Sequence, residues 1–460
     1  MSNQHKIFVI FAILIAGIGS GCEKFVTVEP PPNALVSAFV FADDKTAESA
    51  ISGVYEKMMG SPTGFFNGGL ELYTGLSGDE LIARTARPNF IEFNKNALLA
   101  TNTEVKRIWQ AAYEVIYSCN AILEGLAASS SVSERMKLQL KGEALTLRAF
   151  SYSQLVQLFG HVPMVLTTDY RENAVAARTD KQVLLAQVEQ DLLMAVEVLQ
   201  PDYQFSNSER TRPNRYVAQA LLGRLYLLES KWEKAIELAT AIIGASDVFA
   251  LSPELDGVFK HNSIEAIWQL MPVIPNMNTG LGYVFVQQSG VPTYGDIKAD
   301  YLGKFEADDQ RLNAWIYTYT ENGVTYHIPY KYQVKGGEAI EEYYTLVRLA
   351  EIYLIRAEAY LQSGMLPAAR ADINIIRNRA GKGSLTVDDA TILTGALETE
   401  RSCELFVEDG HRWFDIKRWG KVDAVMAVAK PNDWHPNDAV YPLPQSELDN
   451  NVQLVQNPGY

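Results

Sequence analysis

Two stretches of the chain repeat one spacing of small and aromatic residues. In the first, Gly223 is followed by Tyr226 and Ala235; in the second, Ala357 is followed by Tyr360 and Ala369. A break falls between the Tyr and the second Ala each time, at Ser230-Lys231 and at Ser363-Gly364. This is the signature of a tetratricopeptide-like helix–turn–helix unit, in which small residues let two helix backbones close and the aromatic fills the gap to the next pair. One such unit cannot bury its apolar face alone, so the pattern commits the chain to stacked helix pairs. Two clear copies are few for a stack. Earlier helices must complete it in degenerate form, with Ala149 and Tyr152 at the same offset.

Helical periodicity supplies those earlier helices. Asp43-Asp44 can cap a first helix whose face is marked by Ala47, Ile51, Val54 and Met58. Apolar positions from Val105 to Leu126 form a second stripe. Ser133 can cap a third helix ending near Phe159-Gly160, and a fourth runs from about Lys181 to Leu199, where Pro201 stops it. Gly60 to Arg87 is Gly-rich and reads as loop and strand. From about 247 to 339 the helical rhythm stops: Ile264 to Met271 is strand-like, Pro272 to Tyr294 is rich in Pro, Gly and Asn, and Ala314 to Tyr319 alternates with Trp315, Tyr317 and Tyr319 on one face. The fold class expected is mainly α, with helix-pair repeats, an irregular loop-rich region and little β.

The N-terminus predicts export. Lys6 precedes an apolar run from Ile7 to Ile18, too short to span a bilayer and right for a signal-peptide core. Gly19-Ser20-Gly21 then precedes Cys22, as a lipoprotein signal peptidase requires, although Gly19 stands where a branched residue is usual. The expectation is a signal peptide over 1–21, lipid on Cys22 and an extended tether over 22–37 containing Pro30-Pro31-Pro32; the alternative is an ordinary secretory signal with an incidental Cys. Several acyl chains on Cys22 would anchor the protein firmly. Cys119 and Cys403 read as buried free thiols, although a disulfide is chemically permitted outside the cytoplasm.

Composition narrows the function classes. A net charge of −15 provides no basic surface for nucleic acid. No metalloprotease helix, phosphate loop, nucleophile elbow or dinucleotide fingerprint occurs. The histidines are scattered singly, so neither a metal nor a cofactor is expected. Glu400 to Gly420 interleaves ionic and aromatic residues most densely. A catalytic reading would use Glu404 and Glu408 with Arg412. The structural reading has arginines bridging carboxylates and stacking on Trp413 and Trp419, locking the last helices to the repeats.

These residues also carry a resemblance. Cys22-Glu23-Lys24-Phe25, Gly53-Val54-Tyr55, Asn120-Ala121-Ile122-Leu123, Leu147-Arg148-Ala149-Phe150, Arg348-Leu349-Ala350-Glu351, Glu408-Asp409-Gly410-His411-Arg412-Trp413 and Asn457-Pro458-Gly459-Tyr460 occur in order along nearly the whole chain. Together they resemble the RagB/SusD nutrient-uptake outer-membrane lipoproteins of Bacteroidetes, with Asp409 standing where Glu is usual. The resemblance implies a SusD-like domain over 38–460, with an N-terminal part over about 22–210, a C-terminal part over about 211–460 and an irregular insertion over about 247–339. It implies a non-catalytic surface protein, lipid-anchored in the outer membrane. Such a protein binds glycans and hands them to a SusC-like TonB-dependent transporter. Oligopeptide uptake on the same scaffold is the alternative; a surface glycoside hydrolase or a structural adaptor is further removed.

Ligand residues vary within that family, so the candidate contacts come from chemistry. Sugars present apolar faces and polar rims, which suit aromatic platforms beside Asn, Asp or Arg. Asp79 to Asn94 offers Asp79, Arg87, Asn89 and Phe90; Met271 to Tyr294 offers Asn276, Asn278, Tyr283 and Phe285; Trp434 lies between Pro431 and Pro436. Tyr283, Phe285, Phe90, Asn89, Asp79 and Trp434 are the expected ligand contacts, and each ring could instead serve the core of its own loop.

Overall fold

The computed structural model describes residues 39–460. Cys22, the signal peptide and the tether lie outside the described residues. The described residues are mainly helical, 55% helix and 9% strand. Counting helices of eight residues or more, α1 is Asp44–Met59, α2 Leu70–Ser77, α3 Pro88–Lys95, α4 Thr103–Ala128, α5 Glu134–Phe159, α6 Lys181–Val198, α7 Arg215–Leu228, α8 Trp232–Gly244, α9 Leu349–Gln362, α10 Leu366–Arg379, α11 Ala390–Glu404, α12 His411–Arg418 and α13 Val422–Ala429. No helix among the described residues is long and apolar enough to cross a membrane.

The long helices start where the sequence places caps. Asp43 accepts from the Thr46 backbone N–H and Thr46 answers with its side chain, a reciprocal box. Asn102 caps α4 and Ser133 caps α5, each worth about 1 kcal/mol against alanine. Gly160, at φ 74°, ends α5.

Helices α4 to α10 then lie side by side in chain order, forming the stack. The two repeat turns share their geometry. Ser230 and Gly364 hold the same offset and both have positive φ, at 56° and 74°. The Lys231 N–H donates to the Tyr226 carbonyl at 2.8 Å, and the Met365 N–H donates to the Tyr360 carbonyl at 2.8 Å. Ala235 and Ala369 are fully buried, and a Cβ on Gly223 would sit 3.7 Å from Ile355 of α9. Ala149 and Tyr152 are buried in α5 at the same spacing.

Between α8 and α9 the chain leaves the stack. It forms β4 (Ala266–Leu270), β5 (Gly295–Ile297), a hairpin of β6 (Ile316–Glu321) and β7 (Val324–Pro329), and β8 (Tyr344–Arg348). Earlier strands are β1 (Leu81–Ala83), β2 (Val162–Pro163) and β3 (Arg178–Thr179). All pair antiparallel in twos: β1 with β5, β2 with β3, β4 with β8, and β6 with β7.

Two local expectations are corrected. Gly60 to Arg87 is more helical than expected: a π-turn at Phe65–Gly69 runs into α2, all of whose residues are buried. A helix enclosed on every side needs no polar face, so it leaves no amphipathic pattern to read. Trp315 is the last residue of a short helix, Arg311–Trp315, and is fully buried; Tyr317 and Tyr319 share the half-buried side of β6, opposite exposed Thr318 and Thr320. Cys119 and Cys403 are buried separately and unpaired, and burial pushes both thiols up to about 12.

Candidate functional site

Two stretches distant in sequence meet beside the stack. Strand β1 pairs with β5, setting Leu81 against Ile297. Arg84 secures the junction through Asp296 at 2.6 Å. The excursion is also fixed from below. The Gly280 N–H donates to Asn67 Oδ1 at 2.7 Å, and a Cβ on Gly280 would lie 1.9 Å from the Asn67 carbonyl oxygen. Only glycine lets these backbones approach so closely. Thr279 caps the short helix Gly280–Phe285, and buried Asn278 accepts from the Glu341 and Glu342 N–H groups at 2.7 and 3.0 Å. Loops held this way can present side chains with little freedom.

What they present is aromatic. Tyr283 is 39% exposed, with the Lys335 ammonium 5.8 Å from its ring centre. Tyr294 is half-buried, with the Arg87 guanidinium 5.8 Å from its ring and Phe90 edge-on behind it at 5.7 Å. The β6–β7 hairpin continues the surface with half-buried Tyr317 and Tyr319, 6.0 Å apart; buried Tyr326 backs Tyr319 at 5.4 Å, with Arg84 5.3 Å from its ring. The Tyr319 hydroxyl donates to the Gly290 carbonyl at 2.8 Å, tying hairpin to excursion. Ring faces flanked by cations suit a ligand with C–H faces and oxygen-rich edges.

The six expected contacts divide. Tyr283 faces outward. Asn89 is partly exposed and donates to the Thr103 hydroxyl at 2.6 Å. Trp434 is half-buried at another place, edge-on to Trp413, with its indole N–H on Asp423 at 3.0 Å. Phe90 and Phe285 are corrected: they are 5% and 3% exposed, because α3 and the short helix each turn one ring into the core. Asp79 is corrected too. It is buried against Arg412 at 2.7 Å and Lys304 at 3.4 Å, and despite the burial penalty Arg412 holds its carboxyl below the usual range. Tyr294 and Lys335 were not singled out from sequence. The signal for the hairpin was Asn322-Gly323, both at positive φ between two alternating runs.

The ionic seam at 400–420 lies inside. Glu404 accepts from Arg348 at 2.6 Å, from Arg311 at 3.0 Å and from Arg379. Against its burial, these three arginines hold it well below the carboxylate range. Glu408 takes Arg348 at 2.7 Å and buried Lys331. Arg412 reaches Asp79 rather than either glutamate. Arg418 pairs with Glu358 of α9 and covers Trp419 at 5.0 Å, while Lys417 approaches Trp413 at 5.5 Å. Burial drives His411 well below its ordinary value, so the ring is neutral. Every charged group of the acid pair is already neutralised by a fixed partner. The seam joins α9, α10, α11 and α12 to β8 and α2, as a structural lock requires. No group of His, Cys, Asp and Glu is placed to hold a metal among the described residues.

Comparison with known proteins agrees with this architecture. Residues 323–460 match the SusD family, and residues 72–227 match the family described as starch-binding, associating with outer membrane. The chain is 27% identical to SusD-like protein P2 of Formosa agariphila, over 99% of this chain and all of that protein. In fold it resembles a SusD superfamily protein of Bacteroides vulgatus, with a TM-score of 0.79 and 21% identity over 91% of this chain and all of the other. It also resembles surface glycan-binding protein A of Bacteroides fluxus, with a TM-score of 0.76 and 20% identity over 90% of this chain and 99% of the other.

Proposed function

The chain belongs to the RagB/SusD family, and from that premise we propose that it is a non-catalytic surface lipoprotein that binds glycans for a SusC-like TonB-dependent transporter of the outer membrane. The observation that carries the glycan reading is the outward Tyr283 ring beside half-buried Tyr294, with Lys335 and Arg87 at their faces. Stacking of a sugar ring needs no ionised base, and this surface offers ring faces and cations rather than a poised acid–base pair. The glycan-binding names of relatives lend the same support. Tyr283 and Asn89 are the retained contacts from sequence, with Tyr294, Arg87 and Lys335 added; Trp434 belongs to a separate place.

A glycan array followed by calorimetry on the hits tests this. Tyr283→Ala should weaken binding by about 1–2 kcal/mol, the scale of one lost ring contact, with melting unchanged. Undiminished affinity in a Tyr283→Ala, Tyr294→Ala double variant would move the site elsewhere, and hydrolysis of a bound oligosaccharide would end the non-catalytic reading. Anchoring rests on Cys22 in this proposal. Cys22→Ser should abolish incorporation of a fatty-acid probe in cells, and a labelled Ser variant would assign the lipid to another residue. The transporter should co-purify with the native lipoprotein from detergent-solubilised outer membranes.

A further inference from the structure

A second concavity opens where the end of α5, the start of α6, the α7–α8 turn and α12 converge. It has a volume of about 470 Å³ and shares no lining residue with the Tyr283 surface. In a chain of net charge −15 its wall is basic: Lys181, Lys231, Lys417 and Arg418 face one carboxylate, Glu229.

The charges do not balance. Lys231 sits 2.9 Å from Glu229 and 2.6 Å from Glu189, so both charges at that edge are taken. Arg418 is committed to Glu358 and Asp415. Lys417 and Lys181 have no carboxylate partner among the described residues. The Lys417 ammonium donates to the Gln157 carbonyl, in the last turn of α5. An ammonium has three donors, and two remain. Burial, then the charge of Lys181, push this ammonium down to about 7. Arg418 and Lys231 are matched by their carboxylates, which leaves Lys417 and Lys181 as the uncompensated cations of the wall. A cation this poorly compensated invites an anion. The remaining wall is amphipathic, with Leu185, Leu228 and Phe414 as an apolar floor and Gln182 and Ser230 as hydrogen-bonding groups.

We propose that this pocket binds a hexose-sized organic anion, its carboxylate or phosphate held by Lys417 and Lys181 and its ring on the Leu228–Phe414 floor. The volume falls in the range of small-molecule sites, and charge-assisted hydrogen bonds from two lysines give the orientation. Binding restores the proton that the empty pocket disfavours on Lys417, so the complex takes up protons near neutral pH.

Calorimetry on the full chain with glucuronate and glucose 6-phosphate, beside glucose and inorganic phosphate, tests the assignment at about pH 7.5 in two buffers of different ionisation enthalpy. At least one hexose anion should bind at least tenfold more tightly than glucose, with a buffer-dependent heat that reports proton uptake. Lys181→Met, on an exposed turn, should lower that affinity about tenfold without moving the melting temperature. Lys417→Arg keeps the cation and should retain binding while losing proton uptake, since arginine stays charged. Tyr283→Ala should leave this binding untouched, which separates the pocket from the glycan surface. The proposal is overturned if no anion binds, if glucose binds equally, or if Lys181→Met changes nothing. Equal affinity for inorganic phosphate and glucose 6-phosphate would overturn the hexose part of the assignment.

Discussion

Glu404 touches three arginines and is wholly buried, whereas Arg87 and Lys335 have no carboxylate partner among the described residues and lie over the Tyr294 and Tyr283 rings. Both regions combine charged and aromatic side chains, yet they do opposite work. In the seam, each charge meets a fixed counter-charge in low dielectric, so breaking one pair leaves a bare ion behind. At the surface, solvent screens the cations, so losing one costs the fold little. Density of ionic and aromatic residues in sequence is therefore no guide to a site. What separates the two regions is whether the charges are already neutralised within the protein.

The sharpest way to break this comparison is Arg348→Met. The substitution removes the one cation common to Glu265, Glu404 and Glu408, leaving three buried acids to Arg379, Arg311 and Lys331, and should destabilise the fold by about 3–5 kcal/mol in chemical denaturation. Glycan affinity of the remaining native protein should stay put. A loss below about 1 kcal/mol would show that the seam is not the lock described above.

Ala369→Leu probes the stack without touching a charge. Ala369 is fully buried, so the larger side chain should cost about 1–3 kcal/mol by overpacking, seen as a lower melting temperature at unaltered net charge. An unchanged melting temperature would show slack between the helix pairs.

The smallest effect is a pH slope. Burial raises Glu71 and Glu80 to about 7 each. An acid raised in the folded state stabilises it while protonated, and that contribution disappears as pH climbs through about 7. Glu408 runs the other way. Despite its burial, Arg348 and Lys331 depress it, so its contribution holds above the usual carboxylate range and fails only in acid. The contribution of these two acids should therefore fall from about pH 5 to about pH 7, and Glu71→Gln should flatten part of that decline. Melting curves at both ends check it; parallel declines in the two proteins would remove Glu71 from the account.

The repeats were legible because their determinants are local. Gly223, Tyr226 and Ala235 carry their own spacing, and Asp43 and Ser133 cap helices within a few residues of themselves. Helix α2 was missed because Leu70 to Ser77 is buried on all sides and shows no polar face. The site was half legible. Both loops were identified, but sequence could not show that Phe90 and Phe285 turn inward while Tyr283 turns out, since that depends on where one helical turn docks. Asp79 was misread for a longer-range reason: its partner Arg412 stands at the far end of the chain.

Strands β4 and β8 pair antiparallel just where the excursion departs from and returns to the helices. They act as a clasp, so the chain between them begins and ends at one place whatever its contents. Widening such a loop costs only about 0.6 kcal/mol per doubling of its length. The outward turns of the excursion can thus change length at small thermodynamic cost while α8 still rests directly on α9, whereas Arg311 and Lys331 within it stay fixed by Glu404 and Glu408.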